Sequence, residues 1–425
     1  MRVLVVGGGG REHALVEALA GSPREPELFA APGNPGIAGI ATTVDIPADD
    51  LIGLRDFALE NQIDMTVVGP EAPLVGGISE CFWEAGLKVF GPSRPAARIE
   101  GSKVFAKEVM RNAGVPTAPF TAFDRQEAAL AHLRARSEYP VVVKIDGSAA
   151  GKGVTVARSQ DEAEEAVREA FSGRFGAAGE RILIEEHIEG REASVFVITD
   201  GVDILPFLPA QDYKPIYDDD RGPNTGGMGA YSPIGWMEPQ TYAAVLEEII
   251  RPVLRQMSLI GATYSGLLYA GVMVTDEGPK ALEFNCRFGD PETQVLLPRM
   301  GTDLLELILA CGEENLVGRE IAWSAEKAVC VVIASEGYPE TSSSGDEISG
   351  LDEIPPGVYI YHAATQLGVD GNLQTAGGRV LNVVGTGVSV IEARARAYAA
   401  VERIHFPGMQ YRTDIALEAM ELEDI

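Results

Sequence analysis

The 425-residue chain predicts an α/β protein of several domains that opens with a parallel sheet. Three observations carry that expectation. The length exceeds what one ordinary hydrophobic core organises, so two to four domains are expected. The first hundred residues repeat short apolar runs, each closed by a glycine- or proline-rich loop, which is the pattern of strand-loop-helix units. Further on, β-branched runs follow one another at hairpin spacing, which suits antiparallel strands.

A formal charge of −29 argues against general affinity for nucleic acid or an anionic membrane, since both need basic surface. It leaves room for a local phosphate site. Cys81, Cys286, Cys311 and Cys330 are scattered, without the spacing of a zinc site or a disulfide framework. Met1-Arg2 runs directly into Val3-Leu4-Val5-Val6, too short for a signal segment, and nothing elsewhere approaches a membrane span. A cytoplasmic protein is expected.

Val3 to Val6 reads as a buried strand, Gly7 to Gly10 as a glycine turn and Glu12 onward as a helix. A dinucleotide site fails here on two counts. Glu12 replaces the third glycine of the fingerprint, and the second strand, Glu27 to Ala31, ends without an acid for a ribose diol. Either a phosphate monoester sits on the turn amides and Arg11, or the turn is purely structural. Loops after the next strands (Pro32-Gly33-Asn34-Pro35-Gly36, Gly69-Pro70-Glu71 and Gly91-Pro92) lie at the carboxyl edge, where open parallel sheets bind ligands. For Glu71, holding a hydroxyl or amine and capping the next helix are both open.

Gly101-Ser102-Lys103 starts a helix that ends near Gly114. Tyr139 to Ile145 is a strand carrying one lysine, Lys144, which either pairs with an anion or snorkels from the strand end. The loop from Asp146 through Gly147, Gly151, Lys152 and Gly153 is no Walker loop: its glycines are one residue too close, and Val154 to Ala157 continues as a strand. It reads as a flexible hairpin able to close over a polyphosphate, or as a mobile surface turn. Arg181 to Ile188 is another strand, ending near Glu185 and Glu186, and it turns back into Glu192 to Ile198. Downstream lie Gln211-Asp212-Tyr213-Lys214 and a glycine-rich binding loop over residues 222–231.

The octet 281–288 is the most informative stretch. As a strand it sets Glu283, Asn285 and Arg287 on one face and Leu282, Phe284, Cys286 and Phe288 on an apolar back. A carboxylate and an amide oxygen suit Mg2+, which takes few protein ligands, and a guanidinium suits an anion. An ordinary half-exposed edge strand is the alternative.

In order, these runs resemble the ATP-grasp superfamily and, within it, the phosphoribosylamine-glycine ligases, also called glycinamide ribonucleotide synthetases. The resemblance spans nearly the whole chain, and its specific marks are Asn224-Thr225-Gly226-Gly227-Met228-Gly229 and Arg287-Phe288-Gly289-Asp290-Pro291-Glu292. Ser148 stands where the family usually has leucine, and Tyr213 where it usually has histidine. The resemblance implies an amino-terminal open parallel α/β domain (1–101), a two-part α+β grasp (102–325) with a mobile lid at about 118–190, and a carboxyl-terminal α+β domain (326–425). In that last domain, strands at Ala328 to Ile333, Val358 to His362 and Arg379 to Val384 and a helix at Ile391 to Ile404 are expected, with no obvious catalytic group.

It further implies ligation of glycine to 5-phosphoribosylamine with ATP through glycyl phosphate, in purine biosynthesis. Another carboxylate-amine ligase or carboxylase of nucleotide metabolism is the alternative. By resemblance, Glu283 and Asn285 hold Mg2+ or Mn2+. ATP is bound by Lys103, Lys144, the loop residues Gly147, Gly151, Lys152 and Gly153, and the carboxylates of Glu185, Glu186 and Glu192. The acceptor's phosphate lies against Gly9, Gly10 and Arg11 near Asn34. Glu71, Asp212, Thr225, Gly226, Gly227, Met228 and Arg287 complete the substrate site. Arg287 and Lys144 are the catalytic choices. The partners expected are these small molecules alone, with no nucleic acid or membrane, and the chain is expected to be a monomer.

Overall fold

The computed structural model describes residues 1–147, 153–352 and 354–423. Its opening sheet is parallel, in the order Thr42–Thr43, Glu27–Pro32, Arg2–Gly7, Met65–Val68, Val89–Phe90. Leu4 and Val6 enter one apolar cluster with Leu54 and Phe82, while Val3 and Val5 enter another with Leu15 and Leu19. Both faces of this strand are covered, which is why its run is apolar without alternation. The short edge strand Thr42–Thr43 has no apolar signal and is visible only through its pairing.

Ser102 caps helix Lys103–Ala113 by accepting from the Phe105 N–H at 3.1 Å, and Gly114, at φ 69°, ends it. A second helix, Arg94–Gly101, precedes it. Its proline sits in the first turn, where a missing N–H costs nothing.

Four antiparallel strands form a sheet within the segment expected as a lid, in the order Phe120–Phe123, Ile182–Glu186, Val141–Ile145, Val154–Ala157. Helices Gln126–Arg134 and Gln160–Ala170 cover it, and Leu130, Leu133, Val143, Val167 and Ile184 give it an apolar core of its own. The larger sheet of the grasp runs Ile204–Pro206, Arg191–Thr199, Gly266–Thr275, Gly278–Asn285. Here the structure departs from strict alternation. Gly271 faces Glu283 and Val272 faces Ala281, so Leu282 is the extra residue of a bulge. The bulge moves Leu282 off the apolar back and into the cleft wall, and the strand ends at Asn285, before Arg287.

The last large sheet crosses the expected boundary at residue 326. Its order is Gln211–Asp212, Gly229–Ser232, Lys327–Ala334, Arg379–Gly387, Val358–His362, so two of its strands precede that boundary. The segment 222–231, read as one loop, therefore ends in a strand. Helix Val390–Val401 packs on the sheet through Ala393, Ala397 and Val401. Among the described residues no helix is long and apolar enough to cross a membrane.

The amino-terminal helix Gly10–Ala20 abuts this sheet. A Cβ on Gly10 would lie 2.1 Å from Asn382 Nδ2 and 2.9 Å from Gln294 Nε2. His13 is buried beside it, its Nδ1 accepting from the His362 N–H at 2.9 Å and its ring edge-on to Tyr361 at 5.5 Å. Burial, helped by the neighbouring His362, lowers His13 to about 3, and burial alone lowers His362 to about 4.

Two expectations follow from this contact. Gly10→Ala should cost about 1–3 kcal/mol through overpacking, read as a lower urea midpoint. Both histidines are held neutral, so their contribution is complete above the ordinary value of 6.5 and is lost as pH falls toward 3–4. Urea unfolding followed from pH 7 to pH 4 should show this loss, and His13→Asn should flatten it.

Candidate functional site

The amino-terminal domain, both parts of the grasp and the carboxyl-terminal region line one cavity of about 730 Å³. Lys144, on a lid strand, and Lys107, on helix Lys103–Ala113, both meet Glu185 Oε2, at 3.0 and 3.1 Å. All three are buried. Glu185 Oε1 is a buried acceptor with no hydrogen-bond partner. Strand alternation turns Glu186 the other way, so its side chain is exposed although the residue borders the cavity. Lys103 donates to the Gly147 carbonyl at 2.7 Å, and burial lowers its pKa. The lid is tied to the same helix by Asp146, whose Oδ1 accepts from Ser102 Oγ and the Val104 N–H. Gly153 lines the cavity, whereas Ser148, Gly151 and Lys152 lie outside the described residues.

Across the cavity, Glu283, Asn285 and Arg287 share a face, as alternation predicts, with Phe284, Cys286 and Phe288 buried behind them. Burial opposes the charge of Glu283, but Lys214, Lys144 and Lys103 outweigh it and hold the carboxyl below its usual range. Arg287 reaches Glu100 Oε1 at 3.0 Å, Glu71 Oε2 at 3.6 Å and Asn285 Oδ1 at 3.3 Å. These carboxylates overcome burial and raise its pKa further.

Asp212 sits beneath this face. Burial pushes it up to about 8 against the pull of Lys214, and its Oδ1 has no hydrogen-bond partner. Lys214 Nζ contacts Glu192 and lies 3.9 Å from Glu283 Oε1 and 4.0 Å from Asp212 Oδ2. Glu192, expected among the ATP-binding carboxylates, is a partner of this lysine here.

The expected acceptor set is divided. Gly9 and Asn34 line a second cavity of about 520 Å³, while Arg11 lines the main one. The Gly9 N–H donates to Glu12 Oε2 at 2.6 Å, and Arg11 Nε to Glu12 Oε1 at 2.5 Å. The carboxylate of Glu12 therefore occupies the anion position of the glycine turn. Gly10 is packed on Asn382, and the Asn34 amide is engaged at both ends, by the Gly8 and His362 carbonyls and the Ile37 N–H. These three residues hold loops together here and do not form a ready phosphate cradle.

The loop 225–228 divides likewise. Thr225 and Gly226 border the cavity, and Thr225 also holds the loop by donating to the Lys214 carbonyl and accepting from the Gly227 N–H. Gly227, at φ 113°, packs against Pro291, where a Cβ would come within 2.5 Å. Met228 is fully buried with Ile216 and Ala334, so its expected place on the substrate is corrected to a place in the core.

The carboxyl-terminal domain contributes more than was expected. Arg379 NH1 donates to the carbonyls of Gly226 and Asp290 at 2.8 Å, and NH2 pairs with Asp290 Oδ2 at 2.9 Å. Tyr338 and its neighbours through Ser342 complete that wall. Lys107 and Lys214 had local signals that were not used: Lys107 is four residues from Lys103 on one helix face, and Lys214 two residues from Asp212 in extended chain. Arg379 had none, since only tertiary folding brings it here.

For a divalent ion, no group of three or more His, Cys, Asp or Glu side chains is assembled among the described residues. The ionised Glu283 and the oxygen of Asn285 nevertheless form a hard two-oxygen donor set open to the cavity, which fits an ion that takes its other ligands from phosphate and water.

Comparison with known proteins agrees with this architecture. A solved phosphoribosylamine-glycine ligase from Thermotoga maritima superposes with a TM-score of 0.85 at 33% identity, over 98% of this chain and 100% of that one. A biotin carboxylase from Campylobacter jejuni shares the fold, with a TM-score of 0.75 at 17% identity over 99% of this chain and 95% of that one. Phosphoribosylamine-glycine ligases of Caldanaerobacter subterraneus and Brucella melitensis are each 48% identical, over 98% and 100% of this chain and 99% of each relative. The phosphoribosylglycinamide synthetase models match in three pieces: the N domain at residues 1–100, the ATP-grasp (A) domain at 101–293 and the C domain at 328–418. The chain therefore belongs to the phosphoribosylglycinamide synthetase family.

Proposed function

We propose that this chain joins glycine to 5-phosphoribosylamine at the expense of ATP, giving glycinamide ribonucleotide, ADP and phosphate in purine biosynthesis. The observation that carries the reading is a single cavity holding three kinds of group: a buried unpaired acceptor beside two lysines, an oxygen donor pair beside an arginine, and the carboxyl of Asp212, whose Oδ1 has no hydrogen-bond partner. Full-length likeness to the ligases supports it. The other carboxylase or ligase activities of the superfamily share only the fold.

A glycine carboxylate oxygen attacks the γ-phosphorus, and the bond to the ADP oxygen breaks with its electron pair leaving on ADP. The ribosylamine nitrogen then attacks the acyl carbon of glycyl phosphate, and the carbon–oxygen bond breaks as phosphate departs. Both steps are mainly positioning and charge neutralisation. Lys103 and Lys144 take the phosphate oxygens, and Arg287 the charge on the transferred group or the glycine carboxylate. Glu283 and Asn285 would hold Mg2+ or Mn2+, which supplies charge neutralisation on the phosphates. Asp212, held near 8 by burial, takes the proton that the amine must lose. Arg11 and Arg379 both line the cavity and would meet the acceptor's phosphate there. The division at 1–101, 102–325 and 326–425, the closing lid, the monomeric state and a cytoplasmic location belong to this proposal.

ADP release with ATP and magnesium tests it. Release should require both glycine and freshly generated phosphoribosylamine; release supported by another acceptor would overturn it. Glu283→Gln should lower turnover by at least about 100-fold with little change in unfolding midpoint, since it removes a charge from a solvent-connected cleft. Wild-type turnover in that variant at saturating magnesium would remove the metal assignment. Asp212→Asn should lower kcat by about 100- to 10,000-fold and abolish the rise of kcat through pH 8 that the wild type shows as the carboxyl ionises.

A further inference from the structure

We propose that Lys107 is a positioning residue that makes the cavity select adenine over guanine, by fixing Glu185 so that one carboxylate oxygen is left for the exocyclic amine of the base. The inference rests on the reading of the cavity as an ATP site.

The geometry around Glu185 is asymmetric. Oε2 receives both ammonium groups, Lys107 at 3.1 Å and Lys144 at 3.0 Å, and Oε1 receives nothing, although the side chain is only 2% exposed and borders the cavity. A buried acceptor without a donor is costly and is rarely retained without a use. A ligand donor at this wall would remove the cost. Adenine offers an amine at the position where guanine offers a carbonyl oxygen, which a carboxylate oxygen repels.

Of the two lysines, Lys107 is the fixed one. Its Nζ also donates to Thr117 Oγ1 at 2.7 Å, and that hydroxyl donates to the Ala281 carbonyl at 2.6 Å. Ala281 lies two residues before Glu283 on the same strand. Lys107 therefore ties the carboxylate of a lid strand to the sheet that carries the oxygen donor pair. It also supplies a second counter-charge, so that Lys144 can turn to phosphate oxygens without leaving Glu185 as an uncompensated buried anion.

The test is direct binding of ATP and of GTP by calorimetry, for wild type, Lys107→Met, Glu185→Gln and the double variant, with magnesium present. Lys107→Met should reduce the ATP-to-GTP affinity ratio by at least about tenfold, the scale of one mispaired buried polar group. If Lys107 acts through Glu185, the same substitution in the Glu185→Gln background should change the ratio by less than about twofold. Thr117→Val removes the other anchor and no charge, and should shift the ratio in the same direction by a smaller factor; it decides the question if Lys107→Met does not fold. An unchanged ratio in Lys107→Met, or in Thr117→Val where that variant decides, would overturn the proposal, as would an equal effect of Lys107→Met in both backgrounds. No acceptor is needed for these measurements. A wild type that binds ATP selectively yet ligates no glycine would therefore remove the ligase reading and leave this one standing.

Discussion

Charge compensation inside the cleft is the constraint on which the rest of the structure depends. Transferring an ammonium or guanidinium out of water costs several kcal/mol unless a partner anion and hydrogen bonds replace the solvent. The cleft cations meet that condition in pairs: Lys107 and Lys144 on Glu185, Lys214 on Glu192, Arg287 on Glu100, Arg379 on Asp290, Arg11 on Glu12. Partners often come from different elements, and Arg379 and Asp290 are 89 positions apart. Folding the separate sheets onto one another is thus the same event as assembling the site.

That arrangement sets what a polyphosphate meets. Its charge would meet cations already held in low dielectric, so binding needs exchange of side-chain partners and no change of backbone. Lys103 is the exception in kind. Its recorded hydrogen bond is to a neutral carbonyl, that of Gly147 at the root of the glycine hairpin, and burial lowers its pKa. An ammonium hydrogen-bonded to a carbonyl, with Glu283, Asp146 and Glu100 acting on it only at longer range, gains from an arriving phosphate, and exchanging Gly147 for that phosphate would couple nucleotide binding to the hairpin.

Much of this was legible in the sequence, and the limits have physical causes. Alternation found Glu283, Asn285 and Arg287 because a strand buried on one face must alternate. It misplaced Leu282 because a bulge adds one residue to the register and leaves no mark in composition. The glycine turn after the first strand was read either as a phosphate site or as purely structural, and composition does not show that Glu12, which spoils the dinucleotide fingerprint, accepts from both Gly9 and Arg11. Met228 was read from its place in a motif, and a motif does not tell a residue that touches ligand from one that seats the loop in the core. Arg379 shows the remaining gap, since a lone arginine at the head of a strand is unremarkable until the fold sets it against Asp290.

The two sides of the cavity are held by different kinds of bond, and this bears on which side moves. Asp212 and the segment 225–228 adjoin strands Gln211–Asp212 and Gly229–Ser232, which are hydrogen-bonded into the carboxyl-terminal sheet. Moving that wall would break a backbone ladder. The lid has its own core, and its recorded ties to helix Lys103–Ala113 are side-chain contacts: Glu185 with Lys107, Asp146 with Ser102 and Val104, Gly147 with Lys103. Such contacts exchange partners without unfolding either body. The wall with Asp212 is therefore the rigid one and the wall with Glu185 the adjustable one. Under the proposed reaction, that ordering would let the adjustable wall exclude water from the phosphates while the rigid wall holds Asp212 in place.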